Sequence, residues 1–298
     1  MARPFRFGVT LLTPAASGQW REKCRTAEML GYDVITVADH LNRPAPFPAL
    51  VAAADATERP RLGTYVLDSG FWNPTLLARE VATTDQLTGG RLELGLGTGY
   101  LKWEHDAAGL PFGTPGERVT HLQRTIDELD RLYGLDDFVP QPLQRPRPPL
   151  LIGGNGDRVL KLTARHAEIA SFTGGRADPT GKPIMLTAAQ LEERVAAYQR
   201  FAADRAEPAE LNLLIYTVVV TDNRRAALRP SLDTMPYLTI PDLTEDEALE
   251  LPTSLIGTVR QMADQLRAQR ERYGFTYITV VEPAMEAFAP VIEELRGE

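Results

Sequence analysis

An Asp-His pair, Asp39-His40, ends the apolar run "YDVITVADH". Histidine exchanges protons near neutral pH, and the group beside it selects which ring nitrogen carries the hydrogen. At the end of a strand such a pair suits proton transfer to or from a bound molecule; the plainer reading is a polar cap on a strand–helix turn. A second stretch, "GGRLELGLGTGY" (Gly89–Tyr100), places Gly95, Gly97 and Gly99 at alternate positions. A dinucleotide fingerprint needs G-x-G-x-x-G with a helix starting at once. Here the third glycine comes one residue early and Tyr100 takes its place. The continuation "YLKWEHDAAGLPFG", broken by Gly109, Pro111 and Gly113, reads as loop. "GGRADPTGKP" fails as a P-loop, because its spacing is one residue too long and Pro183 stands where Ser or Thr is required. With no H-x-x-x-H and no cysteine pair, no metal site is expected.

The elements that position these residues alternate along the chain. Strands are predicted at Phe5–Leu12, at "YDVITVAD" up to Asp39, at Arg61–Ser69, and at "RLELGLG". Four more follow at "LLIGGN", "EIASFTGG", Leu211–Val220 and "FTYITVVE". Between them lie a helix with Ser17 as its N-cap and Gly31 past its end, a helix at Ala49–Thr57, and one opened by Asn73-Pro74 and stopped by Gly89-Gly90. Glu117–Tyr133 puts Val119, Leu122, Ile126, Leu129 and Leu132 on one face. Arg158–His166, Ala188–Ala203, Gly257–Tyr273 and Met285–Leu295 complete the helices. Leu135–Pro149 is a proline-rich connector, and Thr221–Leu255 reads as loop with short helix.

Apolar strands imply a parallel sheet buried on both faces. Eight strand–helix units in 298 residues match a closed (β/α)8 TIM barrel, expected as one domain over residues 1–298 with loop insertions at its mouth. Barrel sites sit at the C-terminal strand ends. There this chain places Asp39 and His40, then Tyr65, Val66 and Asp68, then Gly97, Thr98 and Gly99. Gly153, Gly154, Asn155 and Gly156 follow, and then Thr173, Gly174 and Gly175. The last two loops have free N–H groups suited to a phosphate. Together they predict a shared ligand mouth for a small-molecule substrate.

A net charge of -8 argues against nucleic acid, which needs a basic face. No apolar run is long enough to span a membrane, and "MARPFRFGV" runs into a strand pattern rather than a signal peptide. The lone Cys24 has helical spacing with Trp20, Ala27 and Leu30 and reads as core; a cytoplasmic location is expected.

"AEMLGYDVITVADH" and "LAREVATTDQLTGGRLELGLGTGY" resemble the bacterial luciferase-like flavin and deazaflavin oxidoreductases. So do "PPLLIGGNGDRVLKLTARHAEIASF" and "SLIGTVRQMADQLRAQRERYGFTYITV". The resemblance covers most of the chain and is loosest at Gln141–Arg147, Arg176–Leu186 and Asp222–Leu251. It implies a TIM barrel holding a flavin-like ring at its mouth. In the branch using the deazaflavin coenzyme F420, an Asp-His pair ends strand two, matched by Asp39-His40. The resemblance further implies a non-prolyl cis peptide between Tyr65 and Val66, a phosphate-bearing tail on Gly153–Gly156 and Thr173–Gly175, and a homodimer.

Two positions depart from the sugar-phosphate dehydrogenases of that branch. Arg43-Pro44 stands where they carry a tryptophan, and Tyr100 where they carry a glutamate after "GTG". Sugar-phosphate oxidation is therefore disfavoured. The expectation is an F420-dependent oxidoreductase that passes a hydride between the deazaflavin and a small organic substrate, reducing an activated C=C or C=N bond. An FMN-dependent monooxygenase is the alternative, and a cofactor-binding barrel without catalysis a third. His40 is the expected proton donor or ring contact, with Asp39 or a backbone group fixing its tautomer. Tyr100 marks where the chemistry differs. Trp72 and Trp103 are expected to wall the substrate pocket with Phe71, and His105 either lines it or sits in a solvated loop. His121 and His166 read as surface or packing residues. Arg158, Lys161, Arg165 and Arg176 add positive charge near the phosphate loops.

Overall fold

The computed structural model describes residues 3–177, 183–233, 239 and 243–298. Its strands are β1 (Arg6–Leu11), β2 (Val34–Val37), β3 (Arg61–Thr64), β4 (Leu67–Asp68), β5 (Leu92–Gly97), β6 (Leu150–Gly153) and β7 (Ile169–Phe172). Next come β8 (Gly175–Ala177), β9 (Pro183–Met185), β10 (Glu210–Ile215), β11 (Thr217–Val220), β12 (Ser254–Gly257) and β13 (Phe275–Val281). The helices are α1 (Ser17–Met29), α2 (Pro46–Ala54), α3 (Pro74–Leu87), α4 (Lys102–Ala108), α5 (Pro115–Tyr133) and α6 (Asp157–His166). α7 (Ala188–Phe201), α8 (Arg224–Asp233), α9 (Glu245–Leu249), α10 (Val259–Tyr273) and α11 (Met285–Leu295) follow.

The main sheet runs β3-β2-β1-β13-β10-β7-β6-β5-β4, and β3 also pairs with β5 through Leu62↔Leu92 and Gly63↔Glu93. That pairing closes the ring. With β3 and β4 counted as one interrupted strand, this is the expected eight-stranded parallel barrel. β2, β6 and β13 are buried along their whole length, as their β-branched and apolar composition requires. Polar caps begin the helices where the sequence marks them. Asn73 Oδ1 accepts from the Thr75 and Leu76 N–H groups, and Thr114, Thr187 and Thr258 form capping boxes with Glu117, Gln190 and Gln261. Ser17 is not a cap; it is the first residue of α1, whose N-cap position is Ala16. Cys24 is buried on that helix, and burial pushes its thiol up to about 12.

Three expectations change. The third strand is interrupted at Tyr65–Val66, whose peptide bond is cis, as the family resemblance implied. "LNLLIYTVVV" is two strands. β10 stays in the barrel, while β11 leaves it after Tyr216 and pairs with β12 (Thr217↔Ser254). A ten-residue, mostly apolar run is longer than a barrel wall, and hydrophobicity does not record which sheet a strand joins. The stretch after Tyr100 contains the helix α4, ended by Gly109 in the left-handed conformation (φ 69°). Beyond β7, the β8–β9 hairpin meets Thr239 through Met185 N–H to Thr239 O (2.9 Å), and Met185, Leu228, Ala248, Leu249, Leu251 and Ile256 make a small separate core. These elements form a cap, drawn largely from the two stretches Arg176–Leu186 and Asp222–Leu251 where the family resemblance is loosest. Part of "GGRADPTGKP" lies outside the described residues.

The lower, N-terminal end of the barrel is closed by charge. Arg6 on β1 bonds Glu93 on β5 (2.5 Å) and Glu210 on β10 (2.6 Å), and Arg61 on β3 bonds Glu93 (2.7 Å). The Arg6 guanidinium also lies 4.1 Å from the Tyr277 ring centre. Burial opposes its charge, but Glu93, Tyr277 and Glu210 more than offset that, and its pKa is raised.

The β5 glycines answer to the interrupted strand beside them. A Cβ at Gly95 would lie 1.9 Å from the Thr64 carbonyl oxygen, and one at Gly97 would lie 2.6 Å from Val66 Cγ2. Thr64 Oγ1 donates to Gly95 O and accepts from Gly95 N–H, both at 2.8 Å, replacing the ladder bonds lost where β3 ends. Gly95→Ala is therefore expected to destabilise by at least about 3 kcal/mol, since backbone cannot move aside as a side chain can. Gly18→Ala, in α1 with no atom within 4 Å of the added methyl, is expected to stabilise by about 0.5–1 kcal/mol. Urea unfolding of the two variants checks both.

Candidate active site

Asp39 and His40 lie just past β2 at the C-terminal mouth. His40 Nδ1 is 3.1 and 3.2 Å from the two carboxylate oxygens of Glu104 on α4, and Glu104 Oε1 also accepts the Leu41 N–H at 3.0 Å. Glu104 is 2% exposed and acts as acceptor to both. Nδ1 therefore carries the hydrogen, which leaves Nε2 as the nitrogen free to exchange a proton. The Tyr100 ring meets His40 edge-on, centroids 5.8 Å apart.

This corrects the expected orienter. Asp39 does not hold the imidazole; its Oδ2 accepts from Trp72 Nε1–H (3.1 Å) and from the Asp68 N–H (3.2 Å). Burial pushes the Asp39 carboxyl up to about 6 against those two donors, and the nearby Asp68 charge adds to the rise. Glu104 escaped the sequence reading because Gly109 and Pro111 make "KWEHDAAGLP" look like loop. The same Gly109, read as a helix stop, was the signal that could have found it.

His105 neither lines the pocket nor sits in a solvated loop. It is 1% exposed, with Nε2 2.9 Å from Asp68 Oδ2 and Nδ1 3.0 Å from the Pro111 carbonyl, and its ring lies against Phe71 and Phe112. Glu104 and His105 thus fasten α4 to the ends of β2 and β4. Trp103, expected in a loop, is on the outer side of this helix, 50% exposed. Trp72 is half-buried and packs edge-on to Phe47. His121 is a bridge: its Nε2 donates to the Ser69 carbonyl at 2.9 Å, tying α5 to the turn after β4.

Thr98 and Gly99 are half-buried at the mouth. A Cβ at Gly99 (φ 66°) would lie 1.9 Å from Asp68 Oδ2, so this glycine makes room for Asp68 rather than for a ligand. Val66 faces Gly97 and Gly153, where an added Cβ would come within 2.6 and 3.3 Å of it. The Tyr65 hydroxyl turns into the barrel, 2.7 Å from Asn212 Oδ1 and 2.9 Å from Ser171 Oγ.

The two glycine loops meet. Gly154 N–H donates to Ser171 O (3.3 Å), and Asn155 Nδ2–H to Gly175 O (2.5 Å). Gly174 packs on Thr253 of the cap, 2.1 Å from its methyl if a Cβ were added, and Thr173 beside it is half-buried. Gly156 is exposed at the N-cap of α6, a Cβ there would meet nothing, and no side chain caps the helix. Its first N–H groups are open to an anion. Asn155 Oδ1 is buried without a donor among the described residues. A phosphate-bearing, hydrogen-bonding cofactor fits this cradle. Of the expected basic residues, Arg158 is tied to Gly116 O and Thr120 Oγ1. Lys161 and Arg165 line a hollow with Phe201 and Asp204 between α6 and α7, and Arg176 is exposed on β8.

The sequence profile of the "Luciferase-like monooxygenase" family matches residues 1–277. The chain belongs to that family. Its curated relatives divide by cofactor. An FMNH2-dependent dimethylsulfone monooxygenase of Pseudomonas putida is 28% identical over 247 residues, 72% of this chain and 67% of that protein. An F420-dependent glucose-6-phosphate dehydrogenase of Intrasporangium calvum is 36% identical over 118 residues, 36% of this chain and only 35% of that protein. Among solved structures, an F420-dependent secondary alcohol dehydrogenase in complex with an F420-acetone adduct superposes with TM-score 0.76 at 17% identity, covering 99% of this chain and 100% of that one. Monooxygenase RslO1 from Streptomyces bottropensis superposes with TM-score 0.74 at 20% identity, covering 97% and 99%. The chain is thus a luciferase-like oxidoreductase of the flavin and deazaflavin type. Among the described residues no helix is long and apolar enough to cross a membrane, and no cluster of metal-ligating side chains occurs.

The raised Asp39 pKa has a consequence for stability. A carboxyl whose folded pKa lies near 6, above its unfolded value of 3.8, destabilises the folded state wherever it must ionise. Asp39→Asn keeps the acceptor for Trp72 and the Asp68 N–H. It is expected to raise the unfolding free energy at pH 7.5 by up to about 3 kcal/mol. The gain should shrink as pH falls from about 6 towards 4, measured by urea denaturation across that window.

Proposed function

We propose that this chain is an F420-dependent oxidoreductase that reduces an activated C=C or C=N bond of a small organic substrate. The observation that carries the reading is His40 just past the end of β2, held through Nδ1 by the buried Glu104, which leaves Nε2 as the exchangeable nitrogen. Reduction of such a bond takes up a hydride and a proton. F420, when bound, would supply the hydride; His40 would take a proton from solvent on Nε2, give it to the substrate, and return to the neutral form with its hydrogen on Nδ1 facing Glu104. Glu104 keeps the imidazole in one tautomer and one orientation. The uncapped N-terminus of α6 and the open backbone at Gly156 take the phosphate of the cofactor tail, and Asn155 Oδ1 offers an acceptor to one of its donors. Trp72 and Tyr100 shield the reacting atoms from water.

The long alignment with the P. putida sulfone monooxygenase supports a second reading, an FMN-dependent oxygenase on the same residues. Titration calorimetry of the purified protein against F420 and FMN separates the two. F420 is expected to bind at least about tenfold tighter; micromolar FMN binding without F420 binding overturns the first reading. His40→Ala is expected to lower kcat by about 10²–10⁴ and Glu104→Ala by a smaller factor, with F420 affinity kept. A His40→Ala enzyme with full turnover would remove the proton-transfer role.

A further inference from the structure

Arg43 closes the turn that carries His40. Its N–H donates to the His40 carbonyl at 2.9 Å, so the two side chains spring from one turn after β2. Pro44 follows directly and narrows the conformations open to the Arg43 backbone. The side chain is half-buried and reaches the end of β1, where Nη1–H donates to the Leu12 carbonyl at 3.3 Å. Leu11 pairs with Val37 across the β1–β2 ladder, which sets Leu12 level with Ala38, the residue before Asp39. The guanidinium therefore stands on the C-terminal rim of the barrel, beside the Asp39-His40 end.

A guanidinium carries five N–H donors in a planar fork, and one long bond to a carbonyl uses a single one of them. The carboxylates nearby are spent on other partners. Glu282 also meets Leu12, but at its N–H: Oε2 accepts from the Leu12 and Thr13 N–H groups at 2.6 and 2.7 Å, while Oε1 holds Lys23 Nζ at 2.5 Å. Glu104 is held by His40 and the Leu41 N–H, and Asp39 Oδ2 by Trp72 and the Asp68 N–H. Among the described residues Arg43 has no carboxylate of its own. The half-buried arginines at the closed end are built otherwise, for Arg6 and Arg61 each hold one. A half-buried guanidinium loses part of its hydration, and a single 3.3 Å bond does little to offset that loss.

Resting on the reading of this mouth as the active site, we infer that Arg43 anchors the substrate and that the substrate carries a carboxylate. The planar fork takes the two carboxylate oxygens side by side, and the reducible bond of the same small molecule lies at His40. An unsaturated or imino acid has this form. Asp39, Glu104 and Glu282 share the rim, so the acid is drawn by direct contact with Arg43 and not by a general positive field. The Arg43-Pro44 departure from the sugar-phosphate dehydrogenases thereby gains a chemical content.

The test uses the full chain loaded with whichever cofactor binds, and three acids, each beside its primary amide: pyrrole-2-carboxylate, crotonate and benzoate. Each amide keeps the shape and loses the charge. Equilibrium dialysis is expected to show at least one acid binding about tenfold or more tighter than its amide. Arg43→Gln should weaken that acid at least about tenfold while leaving its amide and the cofactor each within about twofold. Arg43→Lys, which keeps the charge without the fork, should recover part of the loss. If no acid is preferred over its amide, the inference fails. It fails equally if Arg43→Gln keeps the preference. A variant that loses acid and cofactor binding together would assign Arg43 to the cofactor and overturn the inference too. Failure of the wild-type protein to bind either cofactor would sink the functional reading itself, a separate result.

Discussion

The close approach of Thr64 to Gly95 is the constraint on which the site depends. β3 ends there, and the Thr64 hydroxyl takes over both backbone bonds of Gly95, which a side chain at position 95 would prevent. The strand resumes at Leu67, three residues later, as β4 and delivers Asp68 over Gly99. Asp68 receives His105, His105 anchors α4, and α4 presents Glu104 to His40. Each link is short, and all but the last are buried, so the position of the one exchangeable nitrogen is set by packing begun four residues before Asp68. This is preorganisation in a physical sense: the imidazole is held by Glu104 before any ligand arrives.

The two ends of the barrel use charge differently. At the bottom, Arg6, Arg61, Glu93 and Glu210 pair with one another and join four strands. At the mouth, carboxylates pair with histidines or with backbone N–H groups, and burial lifts Asp39 towards neutral pH. Guanidinium–carboxylate pairs keep their charges over the whole physiological range, whereas an imidazole beside a carboxylate can gain or lose a proton within it. Permanent charge thus stabilises the closed end and titratable charge gathers at the open one.

The cap that follows β7 and β10, formed by the β8–β9 hairpin, Thr239, α8 and α9, has its own small core around Met185, Leu228 and Leu251. It is tied to the glycine loops through Gly174 and Thr253. The cradle for an anion and the His40 dyad therefore lie on different supports, one on α6 and the cap, the other on α4. A ligand spanning the mouth would contact both.

Much of this was written in local patterns. Barrel strands such as "VITV" and "LLIG", the Asn73-Pro74 helix start, the burial of Cys24 and the placing of Asp39-His40 at a strand end follow from hydrophobic period and cap chemistry, which act over a few residues. The family resemblance carried the Tyr65–Val66 cis bond, which no periodicity encodes. What only tertiary structure decided were the pairings. His40 turned out to belong to Glu104, 64 residues away, and not to its neighbour Asp39. "LNLLIYTVVV" divided between two sheets, and Trp103 faced outward while Glu104 and His105 faced in. Sequence determines which residues seek burial or a partner; which partner each one finds depends on distances that exist only once the barrel has closed.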